Sequence, residues 1–193
     1  AIGHNTLYNL TSGGYNVAVG YQTMYNASDG EKNTCVGYQA MYNHGGNYNV
    51  ALGYRTLYGA SEASSTGGYN VAIGEEAMKN NTSGGASVCI GWEAGKAITS
   101  GGSNIAIGRA AGWSMTDPNY NIFIGEFAGK LVTTNNYCVA VGHFSQDGMT
   151  GSNNVSMGVN TLGGTGAGEH NTAIGNHAGH ATSSGTRNIF LGQ

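Results

Sequence analysis

Charge is scarce in this 193-residue chain, with seven Lys and Arg, ten Asp and Glu and a formal net charge of −3. The cations are scattered rather than clustered, which excludes a nucleic-acid surface, because such a surface needs a basic stripe to neutralise phosphates. Long apolar runs are missing too. No stretch approaches the roughly 20 apolar residues that span a bilayer, so membrane insertion of this segment is not expected. Three cysteines, Cys35, Cys89 and Cys138, are odd in number and lack CxxC spacing. They read as small buried thiols, not as a disulfide framework or a zinc site. Low charge combined with abundant Gly, Asn, Ser and Thr fits a disordered chain, but disordered chains lack regularly placed aliphatics. In this chain the aliphatics fall at fixed intervals.

Aligning on the glycine of the pattern Asn-x-x-aliphatic-Gly gives Gly3, Gly20, Gly37, Gly53, Gly74, Gly91, Gly108, Gly125, Gly142, Gly158, Gly175 and Gly192. Eight of the eleven intervals are 17 residues, two are 16 and one is 21. Such self-similarity marks a repeat architecture. Immediately before each glycine stands an aliphatic residue (Val19, Val36, Leu52, Ile73 and so on to Leu191), and two residues earlier stands another, usually Val or Ile. Two-residue spacing of β-branched side chains is strand chemistry, and puts both columns on one face of a strand. The glycine supplies a bend or a close backbone approach. A second short strand is expected after it, with a side chain that is always small (Thr6, Thr23, Ala40 through Ala178) at a tight interior corner. Recurrent Gly and Asn argue against helices. The repeat is also too short for a propeller blade. The expected fold is therefore all-β: a parallel β-solenoid of about eleven rungs, about 4.8 Å apart, forming a rod roughly 50 Å long. The extra residues of the 21-residue interval fall within 59–66, a small polar stretch expected to bulge from one corner without breaking the stack.

The column between the two aliphatic columns is also mostly apolar: Ala18, Cys35, Ala51, Ala72, Cys89, Ala106, Phe123, Ala140, Ser156, Ala173 and Phe190. Strands apolar on both faces are covered on both faces. The solenoid interior covers one, and identical chains around a common axis are expected to cover the other. Asn occupies the position four before the glycine in nine of eleven units: Asn16, Asn33, Asn49, Asn70, Asn104, Asn121, Asn154, Asn171 and Asn188. Stacked at rung spacing, these amides are expected to bond up and down the column as a structural ladder.

Units such as Asn70-Val71-Ala72-Ile73-Gly74, and the strings NVAVGYQTMYN (16–26) and NTCVGYQAMYN (33–43), resemble the head repeats of trimeric autotransporter adhesins of the YadA type and, more closely, the longer repeats of phage tail-fibre proteins. The resemblance covers the whole chain. It implies a left-handed β-roll, a homotrimer, and an extracellular attachment role on a virion tail fibre or a bacterial cell surface, with a host-surface glycan or protein as the outside partner. Residues 1–193 read as a single repeat solenoid. Ala1-Ile2-Gly3 already belong to the repeat, and no basic segment followed by an apolar core opens the chain, so a fragment of a longer fibre is expected.

Aromatic residues supply the candidate binding face. Tyr21, Tyr38 and Tyr54, continued at Trp92, form one column directly after the glycine, and Tyr8, Tyr25, Tyr42 and Tyr58 form a second, four residues further on. Stacking supports the solenoid, and exposed rings would suit sugar or protein contact. Beyond Tyr58 the first column turns mixed, making Arg109 and Glu126 an expected inter-rung pair.

Two other functions compete with a fibre. An ice-binding solenoid needs an unbroken exposed Thr or Asn column, and the Thr column is broken by Ala at six of eleven rungs. A polysaccharide depolymerase needs paired carboxylates. Glu76 and Glu93 share a column at about 5 Å rung spacing, near that of a retaining glycosidase pair, but no long loop builds a cleft around them. The chain is expected not to be an enzyme and to need no cofactor. His177 and His180, at spacing three, form the best local histidine pair for a metal, although most of the six histidines read more simply as exposed turn residues.

Overall fold

The computed structural model describes residues 1–60, 65–182 and 184–193. The triplets before the repeat glycines form eleven three-residue strands: β1 (Val17–Val19), β2 (Thr34–Val36), β3 (Val50–Leu52), β4 (Val71–Ile73), β5 (Val88–Ile90), β6 (Ile105–Ile107), β7 (Ile122–Ile124), β8 (Val139–Val141), β9 (Val155–Met157), β10 (Thr172–Ile174) and β11 (Ile189–Leu191). They form one sheet in chain order, and every adjacent pair is parallel. Register obeys the repeat: Ala18 lies beside Cys35, Cys35 beside Ala51 and Ala51 beside Ala72. Equivalent side chains therefore stand in vertical files, and the chain is a parallel β-solenoid. The 21-residue interval leaves the sheet intact, since β3 and β4 pair Val50 with Val71. Within the expected bulge, residues 61–64 lie outside the described residues, and Ser65 already bridges back to His44.

Each strand ends at the repeat glycine for a steric reason. These glycines hold φ near +130°, for example +132° at Gly91 and +128° at Gly108. A Cβ on Gly108 would stand 2.6 Å from the carbonyl oxygen of Gly125 on the next rung. Only a residue without a side chain lets the rungs close to sheet spacing here.

Beyond the glycine the backbone departs from expectation. In place of a second strand it makes turns in which the second residue has φ of about +50 to +60° in every rung, as at Gln22, Gln39, Arg55 and Glu93. The fourth residue does the same, as at Met24, Met41 and Gly95. For L-residues this conformation costs roughly 1–2 kcal/mol each. Inter-rung bonds offset it. The Gln22 N–H donates to the His4 carbonyl on the preceding rung at 2.9 Å, while the Met24 N–H donates to the Ala40 carbonyl on the following rung at 2.9 Å. Each file thus gains hydrogen bonds without strand geometry. Four rungs place glycine at the fourth position, at Gly95, Gly112, Gly129 and Gly179.

Those glycines are linked to how the core is filled. The solenoid interior holds the middle strand file, Ala18 through Ala173, and the small file after the glycine, Thr23 through Ala178, both buried. In the early rungs the bulk comes from the fourth residue after the glycine: Met24, Met41, Leu57 and Met78. Where that residue becomes glycine, bulk comes from three residues later, from Ile98, Met115 and Val132. Phe123 enters the Ala-rich middle file beside this gap: a Cβ on Gly129 would meet its ring at 2.6 Å. Exchanging volume between files keeps the interior at packing density. The small file also turns its hydroxyls inward. Thr23 Oγ1 donates to Gly37 O at 2.7 Å and Thr56 Oγ1 to Gly74 O at 2.6 Å. Thr23, Thr56 and Thr161 are buried, while Thr6 on the first rung is half-buried.

The outer face of the sheet is the reverse. The two aliphatic files flank the buried middle file and face out of the solenoid, half-exposed along its height. Val17, Val36, Ile124, Met157 and Ile174 are among its exposed members.

Candidate binding face

Both expected tyrosine columns exist as stacks. His4, Tyr21, Tyr38 and Tyr54 lie with centroids 5.4, 5.2 and 5.3 Å apart, and Tyr8, Tyr25, Tyr42 and Tyr58 at 5.1 Å throughout, with no interplanar angle above 14°. Rings stacked in this way cover one another's faces, and they present to solvent a row of edges. Tyr21, Tyr38, Tyr54 and Trp92 each keep 41–43% of their surface exposed. A polar file connects the two stacks. Gln39 Nε2 donates to Gln22 Oε1 at 2.8 Å and Arg55 Nε donates to Gln39 Oε1 at 3.0 Å. The Arg55 guanidinium lies 5.3 Å from the Tyr54 ring centroid and 5.5 Å from that of Tyr58, capping both files.

A third tyrosine file lies outside the two expected from the sequence. Tyr15, Tyr48, Tyr69, Tyr120 and Tyr137 each sit one residue before the Asn file, at φ of 58–61°, and all are exposed. Tyr48 stacks on Tyr69 at 4.7 Å and Tyr120 on Tyr137 at 5.2 Å. Their constant offset from the Asn column is the sequence signal that marks them.

The Asn file is internal and structural, and its bonding differs from an amide-to-amide ladder. Each amide mainly clamps the backbone of the next rung. Asn33 Oδ1 accepts from the Asn49 N–H at 2.8 Å while its Nδ2 donates to Gly46 O at 2.9 Å. Asn49 holds the Asn70 N–H and Gly67 O, and Asn70 holds the Ser87 N–H and Gly84 O, in the same way. Asn16, Asn104, Asn121, Asn154 and Asn171 repeat the pattern. Amide-to-amide bonds add to it at Asn121–Asn104, Asn171–Asn154 and Asn188–Asn171. Where the file holds Ser87, the hydroxyl accepts the Asn104 N–H at 3.1 Å. Where it holds Cys138, the buried Asn135 donates to Gly151 O at 2.7 Å, supplying the amide that Cys138 lacks.

The charged part of the face begins where the tyrosines stop. Lys96 Nζ bridges Glu76 Oε2 at 2.8 Å and Glu93 Oε1 at 2.5 Å, and Lys79 adds a second contact to Glu76. Burial acts to raise the Glu76 carboxyl pKa, but Lys79 and Lys96 outweigh it and hold the group below its ordinary range. Arg109 and Glu126 pair across rungs as expected, with Nε to Oε1 at 2.7 Å. The three cysteines are free and buried, and burial pushes the Cys89 thiol up to about 12. His177 and His180 meet edge to face at 5.4 Å. Among the described residues no group of three or more His, Cys, Asp or Glu could hold a metal ion. His44 departs from the exposed-turn reading. It is buried, its Nε2–H donating to Asn81 Oδ1 at 3.0 Å, and burial lowers its pKa to about 4. Among the described residues no helix is long and apolar enough to cross a membrane. No protein-family model matches the chain, and comparisons with characterised proteins and with solved structures return no match.

Proposed function

We propose that this chain is a structural and adhesive segment of an extracellular fibre, on a virion tail or a bacterial cell surface. In this reading three copies wind as left-handed β-rolls about a shared axis, and the outward faces contact a host-surface glycan or protein. The observation that carries the reading is the outer face of the sheet. Two largely aliphatic files, interrupted by Thr34 and Thr172, run side by side along its height, and the described residues leave them half-exposed or exposed. An apolar strip on the order of 50 Å long is more than a solitary soluble chain ordinarily leaves to water. Identical strips meeting at an axis would bury it, and symmetric self-association is the economical way to do so. The likeness of 16–26 and 33–43 to tail-fibre and adhesin repeats points the same way.

The role is non-catalytic. Glu76 and Glu93 share Lys96 as counter-ion, and lysines hold the Glu76 carboxyl low. A glycosidase acid needs the opposite, a raised pKa. Immunogold labelling of cells or particles that carry the full-length chain, with antibody raised against this segment, tests the reading. Label on surface-projecting fibres is the expected result, and label confined to the cell interior would overturn it.

A further inference from the structure

The tyrosine files spend their ring faces on one another, but at one place on the same surface two indoles stack on no other ring. Among the described residues no ring stacks on Trp92 or Trp113, and both are exposed. Between them the polar file that holds Gln22, Gln39, Arg55, Glu76 and Glu93 on earlier rungs drops to Ala110, which is buried. Beside Ala110 lies a cavity of about 450 Å³ that it lines together with Trp92, Trp113, Phe127, Glu93, Arg109, Lys130 and Leu131. That volume lies in the range of small-ligand sites.

We infer that this cavity is a binding subsite for a neutral pyranose sugar, deepening the host-glycan part of the fibre reading and resting on it. Two indoles lining one cavity match the apolar C–H surface of a sugar ring, and the rim supplies donors and acceptors for its hydroxyls. Glu93 Oε2 accepts from Trp113 Nε1–H at 2.9 Å, which ties together two residues that line the cavity. Arg109 and Lys130 stand over the Phe127 ring, 4.6 and 4.7 Å from its centroid, and supply the donors. The rim's charges favour a neutral ligand. Glu93 is balanced by Lys96 and Arg109 by Glu126. Lys130 acts electrostatically on the half-buried Asp147, whose carboxyl pKa is nevertheless raised, mainly by its burial. Cations and carboxylates of this kind make a hydrogen-bonding rim without a net field to select an anion or a cation. None of the outward aliphatic strand residues lines the cavity, so the subsite lies apart from the strip assigned to self-association.

Ala110→Gln tests the site with the least disturbance. Gln occupies the same file at Gln22 and Gln39 with the same backbone, φ of 51° and 54° against 53° at Ala110, so the variant refills the file with a residue it already accepts. Trp113→Ala is the second variant. Intrinsic indole fluorescence is titrated with linear oligosaccharides of neutral hexoses and N-acetylhexosamines, with oligouronates, and with a basic and an acidic peptide. The expected result is a saturable emission change with at least one neutral oligosaccharide, and tenfold or weaker affinity in both variants. Silence from every neutral sugar, a response to uronates or peptides only, or wild-type affinity in Ala110→Gln would overturn the subsite. Sedimentation of the same samples separates this from the fibre reading. A chain that assembles but ignores neutral sugars refutes the subsite alone, and a monomer that binds them refutes the assembly alone.

Discussion

Replacing Asn70 by Ala removes one clamp from the middle of the stack. Asn70 is fully buried, its Nδ2 donates to Gly84 O at 3.0 Å, and its Oδ1 accepts the Ser87 N–H at 3.0 Å. Truncation orphans a backbone donor and a backbone acceptor on the next rung. A buried unsatisfied polar group costs roughly 1–3 kcal/mol, so the pair together cost about 2–6 kcal/mol. Asn16 makes the same two bonds, to Gly30 O and the Asn33 N–H, but near the end of the stack and only half-buried. Water can reach the groups freed by Asn16→Ala, and that variant is expected to lose only about 1 kcal/mol. Urea unfolding at one fixed protein concentration reads the difference, since any self-association shifts apparent stability. With a urea slope of about 2 kcal/mol per molar, a loss near 4 kcal/mol moves the Asn70→Ala midpoint down by about 2 M. A shift below about 0.5 M, or one equal to that of Asn16→Ala, would refute the idea that these amides hold the rungs through backbone clamps.

The same geometry fixes three further outcomes. Gly91→Ala places a Cβ 2.5 Å from Gly108 O at φ +132°, so soluble folded protein is not expected, whereas Gly14→Ala, with nothing within 4 Å, should melt like wild type in a thermal scan. His44 is neutral in the fold, with its pKa lowered from 6.5 to about 4, and the unfolded chain binds the proton first as pH falls. Its contribution is therefore complete above pH 6.5 and lost progressively down to about pH 4, by about 3 kcal/mol in all. In urea midpoints measured against pH, His44→Met should flatten that acid limb. Ile107→Lys places a charge in the outer aliphatic file, and light scattering should show its mass falling to that of one 19.7 kDa chain while its circular dichroism stays unchanged.

The vertical order of this molecule was legible because one glycine and its aliphatic neighbours recur at a nearly constant interval, and a parallel stack converts sequence offset directly into position. Hence the strand register, the inward small file, the two expected tyrosine stacks and the Arg109–Glu126 pair all appear where the spacing placed them. The backbone after the glycine was not legible. Residues such as Gln22, Met24 and Glu93 carry no propensity for positive φ, and they adopt it because inter-rung hydrogen bonds compensate for the strain. Core volume was hidden for a related reason. Gly95, Gly112 and Gly129 look like gaps until Ile98, Met115 and Val132 are seen to fill them from another file. The Trp92–Trp113 cavity was hidden because its signal is a missing side chain. Ala110 is an ordinary residue taken alone, and only the file it interrupts makes it informative. Asn135 compensates for Cys138 across a three-residue offset that column alignment treats as unrelated.

The most direct test of the account is the native mass of this segment by sedimentation equilibrium across micromolar concentrations. If the outward aliphatic strip is where chains meet around an axis, the mass is three times 19.7 kDa. A single-chain mass throughout that range, or a stable dimer, would contradict it.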